Sequence, residues 1–93
     1  MKPRWLLIAS TDLEHLYNYI SQDNPDAATR EVQKVLDAVE NLTHMTGLGR
    51  PGRVPDTREL IVPKYIVAYR VKDDRVEILR VLHQAQRWPD MMG

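Results

Sequence analysis

Three side chains in the second half of this 93-residue chain are of types that act on phosphates or carboxylates: Arg58, Arg80 and His83. Histidine exchanges protons near neutral pH, and arginine offers an anion a rigid fork of donors. His83, at the end of a strand-like run, can serve as an acid or base near the two arginines. It can equally cap the strand or hydrogen-bond the next loop. Arg58 and Arg80 can hold a phosphate or an acidic side chain of a partner. They can also be structural, Arg58 with Glu59 and Arg80 with a helix carboxylate, since ion pairs of that kind also place charge in partly buried positions. Arg50, Arg53, Ile66, Arg70, Arg87 and Trp88 are the candidates for contact with a target or other partner. Trp88 offers a ring to stack on a base, or to pack the chain end beside Pro89.

Composition narrows the chemistry. There are no cysteines, and His15, His44 and His83 show no ligand spacing, so neither a metal nor another cofactor is expected. Thirteen Lys and Arg balance thirteen Asp and Glu. A neutral chain is not a general polyanion binder, so a nucleic-acid role would need a local basic patch. The charges are uneven: nine basic residues fall between Arg50 and Arg87, and the acids concentrate in the first half. The apolar run Trp5–Ala9 is shorter than a signal-peptide core, and no run approaches the ~20 apolar residues of a membrane span. A cytoplasmic protein with no membrane partner is expected.

The elements that must position these residues follow from pattern. The length suggests one domain, residues 1–93. Trp5-Leu6-Leu7-Ile8 reads as a short buried strand. Thr11 and Glu14 then read as a capping box, followed by Leu13, Leu16, Tyr17 and Ile20 on one helical face ending near Gln22. Asn24 suits an N-cap and Pro25 the first helical position. Ala28, Val32, Val35, Val39 and Leu42 form a stripe with Leu36 beside it, and this second helix should stop before Gly47. Gly47–Asp56 is a loop. Thr57–Val62, Tyr65–Val71 and Arg75–His83 are strands, joined by turns at Pro63-Lys64 and Asp73-Asp74. The order β-α-α-β-β-β predicts an α+β fold, a helical hairpin packed on one face of an antiparallel-rich sheet.

A two-residue turn at Asp73-Asp74 sets the hairpin register. Lys72 faces Arg75, Val71 faces Val76, Arg70 faces Glu77, Tyr69 faces Ile78 and Ala68 faces Leu79. Opposed residues share a face. Val67, Tyr69, Val71, Val76 and Ile78 then lie under the helices, and Ile66, Ala68, Arg70, Glu77, Leu79 and Val81 lie on the other side. That second face is partly apolar and needs a cover, either the C-terminus or another protein.

With these elements in place, the chain resembles the RelE/ParE superfamily of toxins. The resemblance covers nearly the whole chain. It rests on Gly49-Arg50-Pro51-Gly52-Arg53, Thr57-Arg58-Glu59-Leu60, the run Tyr65 to Val71 and the run Val76 to His83, in that order and spacing. It implies the toxin half of a type II toxin–antitoxin module. The implied partner is a cognate antitoxin, often of ribbon-helix-helix type, whose C-terminal segment wraps the toxin. Two activities share the fold. One branch is a metal-independent endoribonuclease that cuts mRNA on the ribosome, and it typically carries an arginine directly after the tyrosine at the Tyr65 position. This chain has Ile66 there, and its ending from His83 to Trp88 matches that branch only in part. The ParE-like branch inhibits DNA gyrase, and Ile66 with Leu82-His83 favours it. A degenerate module that only binds antitoxin and aids repression is the third reading, so enzymatic activity is left open.

Overall fold

A computed structural model describes residues 2–84. Its elements are β1 (Arg4–Trp5), α1 (Leu7–Ser21), α2 (Pro25–His44), β2 (Arg50–Pro51), β3 (Arg58–Val62), β4 (Tyr65–Lys72) and β5 (Arg75–His83). The five strands form one sheet in the order β1-β5-β4-β3-β2. All neighbours are antiparallel except β1 and β5, which run parallel. The helical hairpin covers one face, so the expected α+β architecture is present. The short β2 lies within the segment read as loop.

The second helix begins as its sequence dictates. Asn24 is the N-cap, its Oδ1 accepting from Ala27 N at 3.0 Å, and Pro25 follows. Ala28, Val35, Val39 and Leu42 are buried, Val32 is half-buried and Leu36 is exposed. The helix stops at His44, before Gly47, but Met45 is the C-cap and none of the glycines among the described residues has positive φ.

The first helix departs from expectation. It starts at Leu7, so Leu7 and Ile8 are helical and exposed instead of forming a buried strand. Thr11 and Glu14 therefore do not form an N-terminal box. Leu6 is the N-cap without a side-chain cap, and Thr11 Oγ1 donates to Leu7 O within the helix. The reason lies on β5. Leu6 N makes the last strand-type bond, to Ile78 O at 3.1 Å. Beyond it β5 carries a bulge: Tyr69 opposes Ile78 but Ala68 opposes Arg80, leaving Leu79 extra. The next edge donor, Val81 N, goes to the Asp12 carboxylate at 3.0 Å. A longer β1 has no regular ladder to join.

The bulge also corrects the register. Pairs from Tyr69–Ile78 to the turn are as expected, but Val67 faces Val81, Ile66 faces Leu82 and Tyr65 faces His83. Val81 thereby joins Val67, Tyr69, Val76 and Ile78 in the main core under the helices, with Ala9, Val35, Val39 and Leu42. On the second face Ala68, Leu79 and Leu82 pack with Leu6 and with Val54 of the loop. Val71, placed under the helices by the pattern, is exposed at the hairpin end. Asp73 and Asp74 both take positive φ, 53° and 60°, the mirror-image turn that suits a two-residue hairpin.

Candidate functional site

Arg80 is committed to a helix carboxylate. Its Nε and Nη2 donate to Asp12 Oδ2 and Oδ1 at 2.7 and 3.0 Å, and both side chains are largely buried. Asp12 also accepts from Val81 N, so one side chain binds the guanidinium and closes the strand edge. Arg80 Nη1 is buried and has no hydrogen-bond partner among the described residues. Of the two structural alternatives in the sequence, the helix carboxylate is realised for Arg80. Arg58 is not paired with Glu59; its Nη1 donates to Gly49 O at 2.7 Å.

His83 stands at the far end of β5, its ring edge-on to Tyr65 with centroids 5.9 Å apart. Arg58 faces Tyr69 and His83 faces Tyr65. These two rows lie four residues apart along β4, roughly 13 Å, and Arg58 and His83 are on different strands. Arg58, Arg80 and His83 are thus not brought together around one point. His83 instead borders a groove of about 730 Å³ between α1, the start of α2 and the sheet, lined by Leu16, Ile20, Tyr65 and Val81, with His15, Glu31 and Lys64 among its polar residues. Glu31 pairs with Lys34 at 3.0 Å and Lys64 at 3.5 Å. The Lys34 hydrogen bond holds the Glu31 carboxyl below its ordinary value, against the opposing effect of burial. Burial raises Tyr65, and the Glu31 charge adds to this.

The loop after α2 is built on two buried anchors. Tyr69 OH donates to Thr46 O at 2.7 Å and accepts from Gly49 N at 2.8 Å. Gly49 is required by closeness: a Cβ there would lie 2.6 Å from Tyr69 Cε1. Glu59, 1% exposed, accepts from Arg53 N at 2.9 Å and lies 3.5 Å from Arg50 Nη2 and 3.6 Å from Arg53 Nε. Arg50 and Arg53 therefore stand together over one carboxylate.

A similar arrangement occurs on β5. Glu77, 5% exposed, accepts from Arg70 Nε, and Arg4 Nη1 lies 3.7 Å from its other oxygen. The Arg70 hydrogen bond is the main cause of a lowered Glu77 carboxyl. Arg70 facing Glu77 was legible from the register. The sequence offered Arg80 a helix carboxylate without identifying Asp12, and offered Glu59 to Arg58 instead of to Arg50 and Arg53, because these partners lie on other elements and no local pattern marks them. Ile66 is 4% exposed, between Ile61 and Leu82 in the sheet. Arg87 and Trp88 lie outside the described residues. Among the described residues no helix is long and apolar enough to cross a membrane.

Comparison with known proteins agrees with this architecture. Residues 4–88 match the family model described as ParE toxin of type II toxin-antitoxin system, parDE. Y4kP of Sinorhizobium fredii, a relative named as a toxin, is 44% identical over 91 residues, covering 96% of this chain and 94% of its own. Toxin RelE2 of Caulobacter vibrioides is 32% identical over 82 residues, 88% of this chain and 93% of its own. A solved chain from the chromosomal ParDE TA system of P. aeruginosa superimposes with a TM-score of 0.81 at 31% identity, covering 89% of this chain and 95% of that one. With sheet order, hairpin and sequence in agreement, the chain belongs to the ParE toxin family of type II toxin–antitoxin systems.

Proposed function

We propose that this single-domain toxin arrests growth by inhibiting DNA gyrase in the cytoplasm and is neutralised by a cognate antitoxin, as in a plasmid-stabilising module. The observation that carries the choice of target is Ile66. It is buried in the sheet at the position where the ribonuclease branch carries an arginine. The commitment of Arg80 to Asp12 supports the same reading. In-line cleavage needs positive charge on the reacting phosphate, and a guanidinium with two donors on a buried carboxylate is poorly disposed to move there. An antitoxin of ribbon-helix-helix type with a wrapping C-terminal segment has two surfaces to engage. One is the groove beside Tyr65. The other is the outer edge of β3: β2 pairs only with Arg58 and Glu59, so among the described residues Leu60–Val62 have no outer strand partner. An added strand suits such an edge.

The ribosome-dependent ribonuclease is the second reading, favoured by the names of the relatives RelE2 and RelE3 of Caulobacter vibrioides and by His83 at the groove. Purified protein is tested against gyrase supercoiling and against translating ribosomes side by side. Gyrase inhibition without mRNA cleavage is expected. Site-specific mRNA cuts that vanish with His83→Ala, with supercoiling untouched, would reverse the assignment. Absence of growth arrest on expression without antitoxin would leave the non-toxic, antitoxin-binding reading instead.

A further inference from the structure

The two halves of the molecule carry opposite charge. Between Leu7 and His44 there are seven acidic residues and two Lys or Arg, a net charge of −5 on the helical hairpin and its connection. The sheet face away from the helices is different. Register places Arg70, Lys72, Arg75 and Glu77 on that face, with Arg4 beside Glu77 and Arg50 beside Glu59. Arg53 joins them through its contacts with Glu59.

The buried carboxylates explain why these arginines are arranged as they are. A carboxylate in a dry setting must be paired. Glu59 is served by Arg50 and Arg53, and Glu77 by Arg70 and Arg4. Each acid cancels only one of its two arginines, so each cluster presents one positive charge outward. The guanidinium groups remain accessible, with side chains 40–61% exposed. Each has five N–H donors, and most are not used by the single carboxylate below. Lys72 and Arg75 add two more charges, giving the face +4. Asp73 and Asp74, at the tip of the turn, offset half of this over the sheet end. The overall zero charge hides this patch.

We propose that this sheet face, from Arg50 and Arg53 across Arg70 and Arg4 to Lys72 and Arg75, docks the phosphate backbone of double-stranded DNA. From Glu59 to Arg75 the face runs two strand spacings across and four residues along, roughly 16 Å. That spans about five base pairs at 3.4 Å per step. Arginine forks match phosphate oxygens, and the acidic hairpin on the opposite side turns the basic face toward a polyanion. Among the described residues no base-reading element lies on it, and binding independent of sequence is expected. The choice of DNA over another polyanion rests on the gyrase reading; the basic face itself does not.

Fluorescence anisotropy of the full chain with a labelled DNA duplex, over a series of salt concentrations, tests the proposal. Dissociation constants in the micromolar range at low salt are expected, with a slope of log K against log salt of roughly −3.5 for four neutralised phosphates. Lys72→Ala with Arg75→Ala leaves both buried carboxylates paired and should cut the slope by about half. Arg30→Ala on α2 should change nothing. No duplex binding, or a slope indifferent to the Lys72 and Arg75 substitutions, overturns the proposal. So does tighter binding to single-stranded RNA, or to a polyglutamate peptide, than to the duplex. Gyrase supercoiling is read separately. DNA binding with normal supercoiling would keep this surface and remove the gyrase reading; inhibition without DNA binding would do the reverse.

Discussion

Asp12 on α1 and Arg80 on β5 are joined by two hydrogen bonds although 68 positions separate them in the chain. The same carboxylate takes the edge donor of Val81. One side chain thus ties the first helix to the last strand at the point where the ladder to β1 has ended.

Removing that carboxylate should be among the most damaging single changes. Asp12→Ala leaves a buried guanidinium and a strand N–H without partners, a loss of about 3–5 kcal/mol. Asp12→Asn keeps a carbonyl acceptor but loses the charge, and should cost less. Urea unfolding of the two variants beside the parent checks both the size and the order.

Tyr69→Phe should loosen the loop after α2. It removes the group that bonds Thr46 O and Gly49 N, at a cost of about 1–3 kcal/mol. The Gly49 amide should exchange with solvent much faster, as read by hydrogen exchange. Unchanged protection at Gly49 would refute the anchor.

Gly49→Ala should also destabilise, for a steric reason. The new methyl would sit 2.6 Å from Tyr69 Cε1, and overpacking of this kind costs about 1–3 kcal/mol. Gly47, around which there is open space, should accept alanine with little change in melting temperature.

Acid should weaken the fold through Glu77 and Glu31. Both carboxyls lie below their ordinary value of 4.5 when folded, chiefly through hydrogen bonds from Arg70 and Lys34 respectively. A depressed folded value means the stabilisation is fully present above the unfolded value and lost as pH falls through the folded one. The urea midpoint contributed by these groups should therefore hold down to about pH 4.5 and fall below it. Glu77→Gln should make that acid-side fall shallower.

The hairpin tip can be improved. Asp74 has φ 60°, where an L side chain is strained by about 1–2 kcal/mol and glycine is not. Asp74→Gly should raise stability by up to about 1 kcal/mol after the greater freedom of the unfolded chain is subtracted. A lower melting temperature would show that the Asp74 side chain stabilises the turn.

By itself the sequence determined what is encoded within a few neighbouring residues. Asn24-Pro25 starts α2, the stripe from Ala28 to Leu42 gives its buried face, and Asp73-Asp74 sets the hairpin register as far as Tyr69 and Ile78. Arg70 opposite Glu77 follows from that register. The order of elements and the run from Gly49 to His83 carried the family. Only the tertiary structure decided the rest. Whether Leu7-Ile8 is strand or helix depended on β5, because an apolar pair satisfies its backbone equally well either way until a partner edge is offered or withdrawn. The bulge at Leu79 moved Val81 to the helical face and left Ile66 opposite Leu82. Asp12 with Arg80, and Glu59 beneath Arg50 and Arg53, arise because a buried charge must find its opposite wherever the fold brings one. That requirement acts through space, and sequence spacing leaves no mark of it.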